Sequence, residues 1–119
     1  MRRPPDIADA RAGWWAWRAL RDARAQLSGG EVRGVRIPAP PPVDASGARA
    51  VRRVLGWTSA SCLERSLVLQ RWLVAHGVAR DVIVGTEGGA HSGFAAHAWI
   101  DGEPQPPGRS YVELIRLSP

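Results

Sequence analysis

The sequence predicts an α+β domain with helices first and a small antiparallel sheet after them. Up to Gly77 the apolar residues recur at helical spacing, whereas beyond it they fall into short runs with strand-like alternation. The chain has 119 residues, 45% of them hydrophobic, which suits one domain and not two. A chain of this size buries roughly two thirds of the surface its unfolded form exposes, so a modest core forms without staples. The domain reads as a helical N-terminal segment (1–30), a proline-rich connector (38–42) and a core (44–119).

The first helix is expected from Asp6 to Leu27, with Gly13 as its only breaker. Ile7, Trp14, Trp17, Leu20 and Leu27 share one apolar stripe. Trp14 and Trp15 are neighbours and cannot both face inward, so one of them packs at an edge or meets a partner. Ser28-Gly29-Gly30 stops the helix. Glu31 to Ile37 alternates as an edge strand or extended arm, and Pro38 to Pro42 forms a semi-rigid connector. A second helix from Asp44 to Leu55 turns Ala48, Val51, Val54 and Leu55 inward and Arg49, Arg52 and Arg53 outward; Gly56 closes it.

The third helix is the clearest element. Ser59 or Ser61 caps it, and Leu63, Leu67, Val68, Leu69, Trp72 and Leu73 form a broad apolar face that ends at Gly77. Cys62 lies in its first turn, with Glu64 and Arg65 as surface charges and His76 capping the last turn. Val82-Ile83-Val84 is then a short strand, Gly88-Gly89 a turn, Phe94 to Asp101 a second strand and Ser110 to Leu117 a third. The prolines between Asp101 and Gly108 lack donors, so that segment is expected to be a hairpin loop joining the last two strands.

Charge is a weak guide. All 16 basic residues are arginines and the net charge is +5, but they are spread from Arg2 to Arg116 and interleaved with acids. Nucleic-acid binding would need them gathered in a stripe. No segment reaches the roughly 20 apolar residues of a membrane span. Arg2 and Arg3 lead into Pro4-Pro5-Asp6 instead of an apolar run, so no secretory signal is visible and a cytoplasmic location is expected.

The lone cysteine excludes an intrachain disulfide, and no Cys/His cluster has the spacing of a zinc site. Cys62 is therefore either packing or chemistry. The amides and dipole of a helix N-terminus favour a negative sulfur, and a thiol nucleophile also needs a base from another element. His97, within Phe94-Ala95-Ala96-His97-Ala98-Trp99-Ile100, supplies that base from a strand, with Trp99 on the same face. His91, among Gly and Ser neighbours, reads as solvated, and Ser66 lies one turn beyond Cys62. This chemistry calls for no cofactor and no metal.

The ordered set Cys62-Leu63-Glu64-Arg65-Ser66-Leu67, Gly77-Val78, Val84-Gly85 and Phe94 to Ile100 resembles the transglutaminase-like leader peptidases of lasso-peptide biosynthesis. The resemblance runs from about Asp44 to the C-terminus, and the helical start to Leu27 suits the family's short, split form. It implies a papain-like cysteine peptidase core in which Cys62 attacks and His97 is the base. It also implies a precursor peptide as substrate, a small leader-binding protein that presents it, and a separate ATP-dependent lasso cyclase that closes the ring.

That family usually places an acid about a dozen residues after the histidine to orient the imidazole, but Arg109 stands there in this chain. Asp101 shares the strand face of His97 yet would lie about 13 Å away on a straight strand. With the loop centred near Gln105, Glu113 comes opposite His97 on the returning strand and is the expected third group; Ser110 and Tyr111 remain alternatives. Two rival readings stay open. One is acyl transfer of the transglutaminase kind, and the other a non-catalytic module that binds a peptide or partner.

Overall fold

The computed structural model describes residues 7–87, 96–104 and 111–119. Its elements in chain order are α1 (Ile7–Leu27), a 3-10 turn (Ala45–Gly47), α2 (Ala48–Trp57), α3 (Cys62–Ala75), β1 (Val82–Glu87), β2 (Ala96–Ile100) and β3 (Tyr111–Leu117). This is the expected α+β order of helices followed by an antiparallel sheet. Among the described residues no helix is long and apolar enough to cross a membrane. The expected turn at Gly88-Gly89, together with Phe94, His91, Arg109 and Ser110, lies outside the described residues.

Of the stripe expected on helix α1, Leu20 is buried and Leu27 packs partly against the core, but Ile7, Trp14 and Trp17 stay exposed. Its inward residues are Ala12, Trp15, Ala16, Ala19, Leu20 and Ala23, while Trp14 and Trp17 are 61% and 39% exposed and stack on each other at 5.3 Å. The alanines let α1 lie close on α2, so close that a side chain at Gly13 would reach Val54 at 3.4 Å. Helix α2 buries Val51 and Leu55 as expected but runs through Gly56 to Trp57, with Thr58 as its C-cap.

Residues 31–37 form no ladder; a turn closed by the Val35 amide on Val32 O leads into a short extended stretch held by side chains. Gln26 of α1 clamps the backbone of Arg36 from both sides, accepting from its N–H at 2.7 Å and donating to its C=O at 2.8 Å. Arg71 donates to the Ile37 carbonyl and Trp15 Nε1 to that of Pro38. The backbone groups that a strand would pair are thus satisfied without one. His76, the C-cap of α3, extends the stitching: its ring nitrogens lie 2.8 Å from Trp72 O and 3.0 Å from Val43 O.

The strand order is β2-β1-β3, antiparallel throughout. The expected hairpin between the last two strands is therefore corrected, because both pair with β1 and not with each other. Val82-Ile83-Val84 is a continuous apolar run, and such a run suits a strand with neighbours on both edges. Leu67, Val68, Leu69 and Trp72 of α3 share one core with Val82, Ala98, Ile100 and Leu117 of the sheet. Gln70 is buried on this face but satisfied, donating to Leu117 O at 2.7 Å and Arg80 O at 2.9 Å.

Candidate active site

Cys62 is the first residue of α3, and the turn that carries it is tied down twice. Ser61 and Glu64 form a reciprocal capping box, the Ser61 hydroxyl accepting from the Glu64 amide and the Glu64 carboxylate from the Ser61 amide. Glu64 is not the surface charge expected of it: it is only 7% exposed and pairs with Arg24 of α1 at 3.1 Å. Burial alone pushes its carboxyl up, but the Arg24 guanidinium and the Ser61 bonds outweigh this and hold it below the usual carboxylate range. The pattern Ser61-x-x-Glu64 was the available signal for this box, whereas the tie to Arg24 crosses the fold and had none.

Ser61→Ala is expected to cost about 1 kcal/mol of stability, read as a lower urea midpoint. The pH dependence comes from the sign of the Glu64 shift. A carboxyl lowered in the folded state contributes fully above the unfolded value near ~4.3, and that contribution fades as the pH falls through the folded value. Glu64→Gln should lack this part of the acid limb in a stability–pH profile; an unchanged limb would remove Glu64 from the account.

The sulfur meets the sheet at the edge of β2. Among the described residues strand β2 is paired only with β1, and its Ala98 amide, turned away from β1, donates to Cys62 Sγ at 3.3 Å. A single peptide unit separates that nitrogen from His97 Cα, which places the Cα within about 6 Å of the sulfur. The structure thus brings Cys62 beside the backbone of His97. Among the described residues the two side chains share no hydrogen bond. The His97 ring lies instead against Tyr111 at 4.9 Å and Trp99 at 5.7 Å between centroids. At the start of α3 the Glu64 amide is taken by Ser61, but among the described residues the Cys62 and Leu63 amides have no acceptor, as the first turn of a helix leaves them.

The remaining sequence-predicted residues stand elsewhere. Glu113 pairs with Gly85 of β1, and Gly85 in turn pairs with His97. A whole strand thus separates Glu113 from the position expected for it beside the imidazole. Its carboxylate accepts from Arg116 Nε at 2.9 Å. Asp101 and Asp81 both accept from Nη1 of the same guanidinium, and Glu113 foremost, then Asp101, raises Arg116 above its ordinary range. Asp101 and Glu113 thus belong to one ionic cluster centred on Arg116. Ser66 is buried and lines a cavity of about 290 Å³ with Leu55, Leu69, Ile100 and the charged Arg52 and Arg65, one turn along α3 from Cys62.

Tyr111 reaches His97 because of an irregularity that alternation does not reveal. The register between β1 and β3 shifts at Val84/Gly85, so that Val84 faces Ile115 and Gly85 faces Glu113, with Leu114 bulged out. Past a bulge, the side chains of the bulged strand swap faces relative to their partners. Tyr111 and Glu113 therefore share the sheet face of His97 and Trp99, and Ile83, beneath them, is buried outside the main core. Gly85 makes this face passable: a Cβ there would lie 2.6 Å from Val112 O and 3.1 Å from the Trp99 ring.

A cysteine at a capped helix start against an edge strand that carries a histidine is the arrangement on which the sequence resemblance turned. No curated protein and no solved structure matches the chain. The family model of the transglutaminase-like superfamily matches residues 8–113. The match begins in α1, well before the part of the chain that carried the resemblance, and ends within β3. On a match of that extent, taking in all three helices, Cys62 and His97, the chain belongs to the transglutaminase-like superfamily.

Proposed function

We propose that the protein is a cytoplasmic cysteine peptidase that removes the leader from a ribosomally made lasso-peptide precursor before a separate cyclase closes the ring. The observation that carries this reading is the Cys62 sulfur at the first position of α3, held by the amide that succeeds His97. His97 takes the thiol proton and the thiolate adds to the carbonyl of the last leader residue. The oxyanion forms beside the Cys62 amide at the first position of α3. Collapse breaks the C–N bond, and the imidazolium gives its proton to the leaving amine of the core peptide. Water then attacks the thioester, losing a proton to His97, and the leader leaves with a new carboxylate as the sulfur regains its proton.

Support for the substrate side comes from the surface. A groove of about 450 Å³ runs between α1 and the proline connector, with Trp14, Trp15, Pro38 and Pro41 as apolar walls and Arg11 and Arg18 along it. In this reading an extended leader, or the small leader-binding protein that presents it, lies against that face. Incubation with a lasso-peptide precursor, with and without a leader-binding protein of the same biosynthetic system, is expected to yield free leader and a core peptide with a new amino terminus. A mass gain from an added amine would replace hydrolysis by acyl transfer. Binding of the precursor without any covalent product would leave a peptide-binding module.

A further inference from the structure

We propose that Tyr111 is a positioning residue for His97, holding the imidazole plane by stacking where a carboxylate would otherwise hold it by a hydrogen bond. The inference rests on the reading of Cys62 and His97 as nucleophile and base. Two aromatic rings lie against the imidazole, and they are neighbours of each other. Tyr111 lies 4.9 Å away with its plane inclined by 21°, and Trp99 lies 5.7 Å away at 23°. Tyr111 and Trp99 also touch each other, at 5.4 Å, so the three rings form a closed set in which none turns without disturbing the others.

Three carboxylates whose side chains are described, on β3 and at the ends of β1 and β2, are committed to Arg116. Glu113 shares the sheet face but binds Arg116, as do Asp101 and Asp81. Among the described residues no carboxylate hydrogen-bonds His97. Two backbone features serve the ring contact. The bulge at Leu114 turns Tyr111 onto this face, and Gly85, lying between β2 and β3, leaves the space that the rings close over. An aromatic face also attracts the imidazolium that forms when His97 takes the thiol proton, so the contact strengthens during the reaction. Stacked aromatic pairs of this kind correspond to about a 2- to 13-fold preference for one ring orientation.

The test compares Tyr111→Phe, which keeps the ring and loses the hydroxyl, with Tyr111→Leu and Tyr111→Ile, which lose the ring. Tyr111→Phe is expected to cleave the precursor within about twofold of the parent, and the two aliphatic variants about tenfold more slowly in kcat with KM unchanged. The His97 ring protons, assigned by their loss in His97→Gln, should show an upfield ring-current shift in the parent and in Tyr111→Phe that falls in the aliphatic variants to what Trp99 alone contributes. Alkylation of Cys62, the only cysteine, by iodoacetamide should slow in the aliphatic variants alone. The NMR and alkylation measurements need no substrate, so they judge this inference even if the peptidase reading fails on the precursor. Absence of the ring-current shift in the parent overturns it even if the aliphatic variants do not fold. Aliphatic variants with parental kcat and alkylation rate overturn it too, and so does a Tyr111→Phe variant as slow as they are.

Discussion

Replacing Cys62 by alanine is expected to stop precursor cleavage, with a fall of at least about 10³-fold, while the domain keeps its fold. The proposed nucleophile is lost outright, because no second cysteine exists in the chain to take its place. The fold is preserved because what starts α3 is not the sulfur. The Ser61–Glu64 capping box and the Arg24–Glu64 pair hold that turn and remain in the variant. Cys62 is only partly buried, so its truncation leaves a shallow defect and not a sealed cavity. The loss is measured by mass spectrometry of leader and core, beside a urea titration that should move little. His97→Ala is the companion: it retains the thiol but not the base. If Cys62→Ala still cut the precursor, the sulfur would be a packing atom and the Ala98 contact an accident of burial. If it unfolded instead, α3 would depend on that contact more than on its cap.

How far the sequence showed this site differs from residue to residue. Helix α3 was legible because its apolar period, its Ser61 cap and the chemistry of Cys62 agree with one another, and agreement across levels is what makes a segment readable. The face of α1 was not. Tryptophan dominates any hydrophobic pattern, yet the core took Trp15 and four alanines, since close approach to α2 rewards small residues over large ones. The order of the strands was hidden for a different reason. Strand existence is a local property, whereas strand order depends on which distant segments pair, and adjacency in sequence favoured a hairpin that the structure does not form. That error carried Glu113 to the wrong place, and the bulge at Leu114 concealed Tyr111. Gly85, directly after the apolar run Val82-Ile83-Val84, was the one visible sign that something lies over the sheet there.

The second large effect is expected in the core. Trp72 is 1% exposed and is the largest fully buried side chain. It meets Trp15 of α1 at 5.8 Å and His76 at 4.1 Å between ring centroids, and a Cβ added at Gly47 would lie 3.2 Å from its ring. One side chain thus touches α1, the 3-10 turn and the end of α3. Trp72→Ala should cost about 3–5 kcal/mol, a large share of the ~5–15 kcal/mol that holds a domain of this kind together. Collapse into the hole is restricted, because α1 already lies against α2 through alanines and has no slack to move inward. The measurement is a urea titration monitored by circular dichroism, with the midpoint lowered and the slope unchanged; Trp72→Phe should recover part of the loss. A cost below about 1 kcal/mol would mean that the three elements do not close around this ring. The consequence reaches the site, because α1 supplies Arg24 to the carboxylate that caps the helix start at Cys62. Hydrogen exchange in Trp72→Ala should therefore show α1 and the first turn of α3 losing protection together. Cleavage should then fall in step with that loss, since the sulfur keeps its place only while α1 stays docked.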